Sequence, residues 1–239
     1  MADPVLEPLL EVQAHDLVVA RLRYRRQRLP ERALLTAEQA AQADLERASD
    51  ERAHGMRLLD RERRRLEEEI DSIEARAGNS ERRLYSGDVH APKELQALAH
   101  EVEALQRRKR ELEDELLDVM ERTEPLIAET VALEERRRQV EAEMVRLRGV
   151  VADQEVEIDG RLAEESAARS AAAERVPPDL LATYERLRDQ LGGIGVARLY
   201  AGRCTGCHLG LPAVELDALR RAPEGAVVRH EECGRILVP

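Results

Sequence analysis

The chain has 239 residues, of which 36% are charged, and it contains four Tyr but no Trp or Phe. Aromatic side chains supply much of the buried area of ordinary cores, so this composition argues against one large globular domain and favours long helices. The net charge of −11 argues against a body that coats nucleic acid with basic surface. The sequence shows no charged-then-apolar leader and no long apolar run, so we expect a cytoplasmic protein without membrane contact.

The first predicted helix covers residues 5–28 and ends or kinks at Pro30, because the residue before a proline is pushed out of the helical region. One stripe of this helix contains Leu6, Leu10, Gln13, Leu17, Ala20 and Tyr24. Five arginines crowd its end: Arg21, Arg23, Arg25, Arg26 and Arg28. Cations suit a solvated helix C-terminus, and an anionic partner is the alternative interpretation.

A second helix is predicted over residues 31–84, with a weak apolar seam interrupted by Arg52, Gly55 and Arg63. The seam residues are Leu45, Leu59, Leu66, Ile70, Ile73, Ala77 and Leu84. A short turn follows, in which Gly87 is permissive and Pro92 suits the first turn of the next helix. Because a short turn makes long helices antiparallel neighbours, we predict a helical hairpin.

The strongest pattern is an apolar seam from Leu95 to Ile158, spaced alternately by three and four residues. Its only polar members are Lys109, Thr123, Thr130, Arg137 and Gln154. A period of 3.5 residues held this long predicts a coiled coil whose seam must face a partner helix. That partner is most simply the second helix, although two copies could exchange helices, so monomer and dimer both stay open.

The third helix is predicted from Pro92 to about Arg175, with a local kink at Pro125, because the heptads on both sides stay in phase. It is longer than the second helix. The first helix is long enough to pack against the part of the third helix that the second does not reach. A break at 176–179 and a short helix over 180–191 follow, closed by glycines at 192 and 193. We therefore predict a mainly α fold: a kinked, three-helix coiled-coil arm over 1–176 and a smaller domain over 177–239.

The C-terminal domain contains two short metal-binding spacings, Cys204-x2-Cys207 and His230-x2-Cys233. Two such knuckles at this separation suit one tetrahedral Zn²⁺ held by three thiolates and an imidazole. Four protein ligands leave no position for water or substrate, so we expect one structural zinc per chain and no enzymatic activity. Short strands are predicted at 196–201 and 235–238, which makes this domain a small zinc ribbon.

Alternatives at this site remain open. Cys204 and Cys207 alone could be a redox pair, and His208, Glu231 or Glu232 could replace His230 as the fourth ligand. The spacing also suggests that Gly234 directs its N–H towards a ligand sulfur. Zinc with His230 is the interpretation that uses both spacings.

Arginines are frequent between Gly195 and Pro239 and are candidate phosphate contacts for DNA or RNA: Arg198, Arg203, Arg220, Arg221, Arg229 and Arg235. Five acids in the same stretch dilute this charge, and only Tyr200 offers a surface for base stacking. We therefore expect a protein partner on the arm, with nucleic-acid binding through the ribbon as the alternative.

Several stretches together resemble the bacterial C4-type zinc-ribbon proteins, which join a coiled-coil hairpin to a C-terminal ribbon. They are residues 9–16 (LLEVQAHD), the turn at 83–95, residues 112–121, and the two cysteine segments, Cys204 to His208 and Cys233 to Leu237. The resemblance implies metal ligands at Cys204, Cys207, Cys233 and position 230, where His230 replaces the family's usual cysteine. It also implies an adaptor or regulator, of the kind associated with flagellar or type III secretion systems, in a family whose ribbon is taken as a nucleic-acid-binding module.

Overall fold

The computed structural model describes residues 4–239 and is dominated by three long helices, as predicted. The elements in chain order are α1 (Glu7–Gln27), α2 (Pro30–Tyr85), α3 (Pro92–Ala173), α4 (Pro178–Gln190), β1 (Val196–Tyr200), β2 (Arg203–Cys204), α5 (Ala213–Arg221) and β3 (Ile236–Val238). Helix α5 and strand β2 were not predicted. Among the residues described, no helix is both long and apolar enough to cross a membrane.

The chain divides into two compact units. The hairpin unit comprises residues 34–146, and the second unit comprises residues up to 33 together with 147–239. We call the second the ribbon unit, because residues 196–239 lie within it. Helices α2 and α3 contribute residues to both units, so these compact units group the chain differently from a division at residue 176.

In the hairpin unit, α2 and α3 run antiparallel. Ion pairs between them join residues whose numbers rise along one helix as they fall along the other: Arg52 with Glu129, Glu62 with Arg122, Glu69 with Arg108, and Arg83 with Glu94. The core between them consists of Leu59, Leu66, Ile73, Leu105, Leu112 and Val119. Most of these ion pairs are exposed and contribute little, so the apolar seam holds the two helices together.

The predicted seam of α3 is the buried face of that helix. Every seam position from Leu95 to Ile158 is buried or half-buried except Arg137, which is exposed. The polar seam members Thr123 and Thr130 turn their hydroxyls back to the carbonyls of Val119 and Leu126, each over 2.8 Å. The helix is continuous through Pro125, so this proline does not end it.

In the ribbon unit, α1 runs antiparallel to the last turns of α3. Arg26 pairs with Asp159, His15 Nδ1 lies 2.7 Å from the Glu165 carboxylate, and Arg175 pairs with Glu11. The first helix therefore covers the end of the third, as its length suggests.

The stripe identified in the sequence of α1 is only partly buried. Leu6, Leu10 and Gln13 are buried or half-buried, but Leu17, Ala20 and Tyr24 are exposed. The apolar residues that α1 buries are instead Leu9, Val12, Val19 and Leu22. The packed side of α1 also carries polar residues whose partners lie on other elements. These polar residues interrupt the apolar periodicity of the sequence.

Asp16 is the centre of a polar network that joins α1, α3 and α4. Its carboxylate accepts hydrogen bonds from the Tyr184 hydroxyl at 2.7 Å, from Arg188 at 3.0 Å and from Arg169 at 3.2 Å. Burial alone would raise the pKa of Asp16, but the hydrogen bonds from Tyr184 and Arg188 and the charge of Arg169 hold it below its ordinary value. Asp16 therefore stays ionised and holds the buried Tyr184 in place.

The ribbon sheet has the strand order β2-β1-β3, with β1 antiparallel to β2 and parallel to β3. Gln13 of α1 joins this sheet to the helices. Its Nε2 donates to the Gly193 carbonyl and its Oε1 accepts from the Gly195 amide, both over 2.8 Å. A buried amide with both ends paired fixes the point at which the ribbon leaves α4.

Candidate metal centre

The structure brings the four predicted ligand side chains together. One ligand atom from each of Cys204, Cys207, His230 and Cys233 lies within 4.8 Å of the other three. The Nδ1 atom of His230 is 3.0 Å from the Cys233 sulfur and 3.3 Å from the Cys207 sulfur. The three cysteines form no disulfide, and Cys204 and His230 are completely buried.

The two halves of this cluster are built in the same way. In the first, the amide of His208 donates to the Cys204 carbonyl at 2.8 Å; in the second, the amide of Gly234 donates to the His230 carbonyl at 2.7 Å. The next hydrogen bond matches as well, since the amides of Cys204 and His230 donate to the carbonyls of the residues five positions on, Leu209 and Arg235. Cys204 and His230 therefore occupy equivalent positions in two equivalent knuckles.

The donor set fits a tetrahedral zinc ion. In such a site, with Zn–S about 2.3 Å and Zn–N about 2.0 Å, the ligand atoms are separated by about 3.5–3.8 Å. The separations here, from 3.0 Å to at most 4.8 Å, need only small side-chain rotations to surround one ion. His230 would bind through Nδ1, which faces the sulfurs, and its ring hydrogen would lie on Nε2. Nε2 is buried and makes no hydrogen bond within the described chain.

The competing ligands lie outside the cluster. His208 is exposed and has a φ of +63°, the position that Gly234 occupies in the second knuckle with a φ of +72°. Glu231 and Glu232 are exposed. The expected direction of the Gly234 N–H was wrong, because this group donates to the His230 carbonyl and so closes the knuckle through the backbone.

The six candidate arginines of the ribbon divide into two groups. Arg198 pairs with Glu7, Arg221 pairs with Asp217, and Arg235 donates to the carbonyls of Ile194 and Leu191. The other three are exposed and make no side-chain hydrogen bond or ion pair to any residue in 4–239: Arg203, Arg220 and Arg229. Three of the six predicted phosphate contacts therefore already have partners within the chain.

Glu215 on α5 also lies beside the cluster, and it was not among the predicted site residues. It is 7% exposed, and its Oε1 accepts the Glu231 amide at 2.8 Å. Its Oε2 lies 4.0 Å from Nε2 of His230. A sequence signal exists: Glu215 stands four residues before Leu219, so an acid lies on the apolar face of a short helix.

Two family models match this architecture. A CT398-like coiled coil hairpin domain matches residues 12–192, and a C4-type zinc ribbon domain matches residues 203–237. The chain belongs to the family of CT398-like coiled-coil hairpin proteins. The second match covers the segment that contains all four clustered side chains. In this family member, His230 stands where a C4-type ribbon would have a fourth cysteine.

Similar bacterial proteins share nearly the full length of the chain. Uncharacterized protein Rv2229c of Mycobacterium tuberculosis is 35% identical over 234 residues, which is 96% of this chain and 93% of that protein. A solved structure from Mycobacterium smegmatis is 28% identical, has a TM-score of 0.86, and each chain is fully covered. CT398 from Chlamydia trachomatis has the same fold, with a TM-score of 0.70 at 24% identity over 98% of this chain and 96% of that one.

Proposed function

We propose that this family member is a non-enzymatic cytoplasmic adaptor or regulatory protein that binds a protein partner through its hairpin unit. The ribbon carries one zinc ion, held by Cys204, Cys207, His230 and Cys233. Bound zinc supplies a fourfold cross-link and no open coordination position, so its contribution is to folding. A set of four protein ligands, of which Cys204 and His230 are completely buried, supports this structural role.

The observation that carries the adaptor proposal is an apolar stripe on the outside of α3. It consists of Leu117, Met120, Ile127 and Val131, whose exposed fractions are 56%, 50%, 49% and 59%. Successive members of the stripe are three, seven and four residues apart, so they follow one flank of the helix beside the seam. The stripe spans about 21 Å at ~1.5 Å per residue. An aligned set of exposed apolar side chains is typical of a surface that another helix covers.

Replacing the four stripe residues by Gln is expected to abolish partner binding and to leave the helices folded, because Gln favours helix at least as well as the residues it replaces. The matched control is the pair Leu34→Gln on α2 and Val156→Gln on α3, at positions that are 55% and 74% exposed and lie away from the stripe. We would compare the proteins that the native chain and both variants capture from the source bacterium, by quantitative mass spectrometry.

A protein retained by the native chain and the control variant, and lost from the stripe variant, would support the adaptor proposal. Identical capture by all three proteins would contradict it. Light scattering on the same samples tests whether a second copy of the chain covers the stripe. In that case the native protein would be a dimer and the stripe variant a monomer.

Binding of nucleic acid through the ribbon is the second candidate function, and the exposed Arg203, Arg220 and Arg229 favour it. Three phosphate contacts predict that the binding constant falls with a log–log salt slope of about −3 on duplex DNA. Replacing all three arginines by Glu is expected to abolish binding, whereas the exposed Arg107, Arg110 and Arg148 on α3 give a matched control. A titration of mixed DNA and RNA at two salt concentrations measures this, and no binding at low salt would exclude the candidate.

A further inference from the structure

A buried carboxylate and a buried imidazole face one another at the edge of the metal centre. Glu215 and His230 are 7% and 0% exposed, and their atoms Oε2 and Nε2 are 4.0 Å apart. Neither atom has a hydrogen-bond partner within residues 4–239. A buried polar atom without a partner destabilises the folded protein. Closing the short gap between these two atoms would satisfy both.

The other oxygen of Glu215 fixes the direction of its carboxylate. Oε1 accepts the amide of Glu231, the residue that follows His230, at 2.8 Å. Glu215 is therefore attached to the same knuckle that carries the imidazole. Helix α5 is held in turn by Leu219, which packs in the ribbon core with Cys204, Leu211 and Leu237.

We propose that Glu215 is a positioning residue that orients His230 as the fourth zinc ligand, by accepting a hydrogen bond from Nε2–H while Nδ1 binds the metal. This inference rests on the zinc site proposed above. Metal-binding histidines commonly donate their second ring hydrogen to a carboxylate, which fixes the tautomer and makes the ligand more basic.

The pairing also accounts for a histidine at a position where C4-type ribbons use cysteine. Four thiolates around Zn²⁺ carry a net charge of −2, and three thiolates with a neutral imidazole carry −1. A thiolate needs no orienting partner, whereas an imidazole must present one of two nitrogens. The Glu215 carboxylate orients the ring and restores the missing negative charge beside it.

The test measures zinc affinity of the full chain by competition with a chromophoric chelator, for the native protein and for Glu215→Gln. The Gln oxygen can still accept the Glu231 amide, but its NH₂ group then faces Nε2–H, so two donors oppose each other. We expect Glu215→Gln to weaken zinc binding by about 10- to 100-fold. The cobalt-substituted variant should keep its thiolate charge-transfer band, which shows that the cysteines still bind metal.

The His230→Cys background separates positioning from a merely structural role. There the imidazole is absent, so Glu215→Gln should change zinc affinity by less than about threefold, as a double-mutant cycle requires. Equal weakening in both backgrounds, or no weakening in the native background, would overturn the proposal. Failure of the native chain to bind zinc at all would instead refute the zinc site itself.

Discussion

Replacing Cys204 by Ser is expected to abolish tight zinc binding and to unfold the ribbon, while the hairpin unit stays helical. A serine hydroxyl is a poor substitute for a thiolate at zinc, and metal binding at structural sites supplies about 10–16 kcal/mol of apparent folding free energy. The ribbon core around Cys204 is small, with Ala197, Leu211, Leu219 and Leu237 as its other buried members. Such a core cannot replace the metal.

Hydrogen exchange read by mass spectrometry measures this outcome segment by segment. We expect amides in β1 and β3 to lose protection in Cys204→Ser, or after zinc is removed by a chelator, and peptides from 59–73 and 105–119 to keep theirs. His208→Ala is the matched control, because this exposed histidine adjoins Cys207 but lies outside the cluster. Full ribbon protection in the zinc-free protein would contradict the expected role of the metal.

Replacing Leu112 by Ala is expected to destabilise the hairpin unit by about 2–5 kcal/mol, the range for a buried leucine whose loss leaves a cavity. Leu112 is completely buried in the seam, where the core also contains Leu66, Ile73, Leu105 and Val119. The loss combines the transfer free energy of the removed methyl groups with the packing contacts that the rigid helices cannot restore. Urea unfolding followed by far-ultraviolet circular dichroism measures it.

Leu117→Ala provides the control on the same helix, since Leu117 is 56% exposed. An exposed position of this kind should change the free energy of unfolding by less than about 0.5 kcal/mol. Equal effects of the two substitutions would mean that the heptad face is not the packed face. That result would also remove the reason for treating Leu117 as part of a free interaction stripe.

The long helices could be predicted because their packing is periodic and local in sequence. In α3 the alternation of three and four residues persists from Leu95 to Ile158, so a few polar members do not hide it. Pro92 and the short turn before it then fix the antiparallel partner. The ends of α2 and α3 follow from the same prolines and turn residues.

The packing of α1 could not be predicted from its sequence. Its packed side includes Gln13, Asp16 and Arg26, whose partners lie on α3, α4 and the start of the ribbon. Polar residues on a packed face remove the hydrophobic period, and their partners are more than 130 positions away in the chain. The stretch 9–16 was informative only through its resemblance to a family. The structure gives Gln13 and Asp16 within it a physical role.

At the site, the spacing of the ligands was enough to place four side chains together, because each knuckle is a local structure. The residues that surround the four ligands could not be predicted in the same way. Glu215 reaches His230 only because α5 folds against the ribbon core, and the partners of Arg198 and Arg235 come from α1 and from the end of α4. Charge counts over a segment do not show which charges are already paired.

X-ray absorption at the zinc edge tests the proposed metal centre most directly, on the full chain with its metal content measured on the same sample. We predict one zinc per chain with three sulfur neighbours at about 2.3 Å and one nitrogen neighbour at about 2.0–2.1 Å. In His230→Cys the signal should change to four sulfur neighbours. Fewer than three sulfurs, or an oxygen neighbour from water in the native chain, would contradict a closed structural site built from Cys204, Cys207, His230 and Cys233.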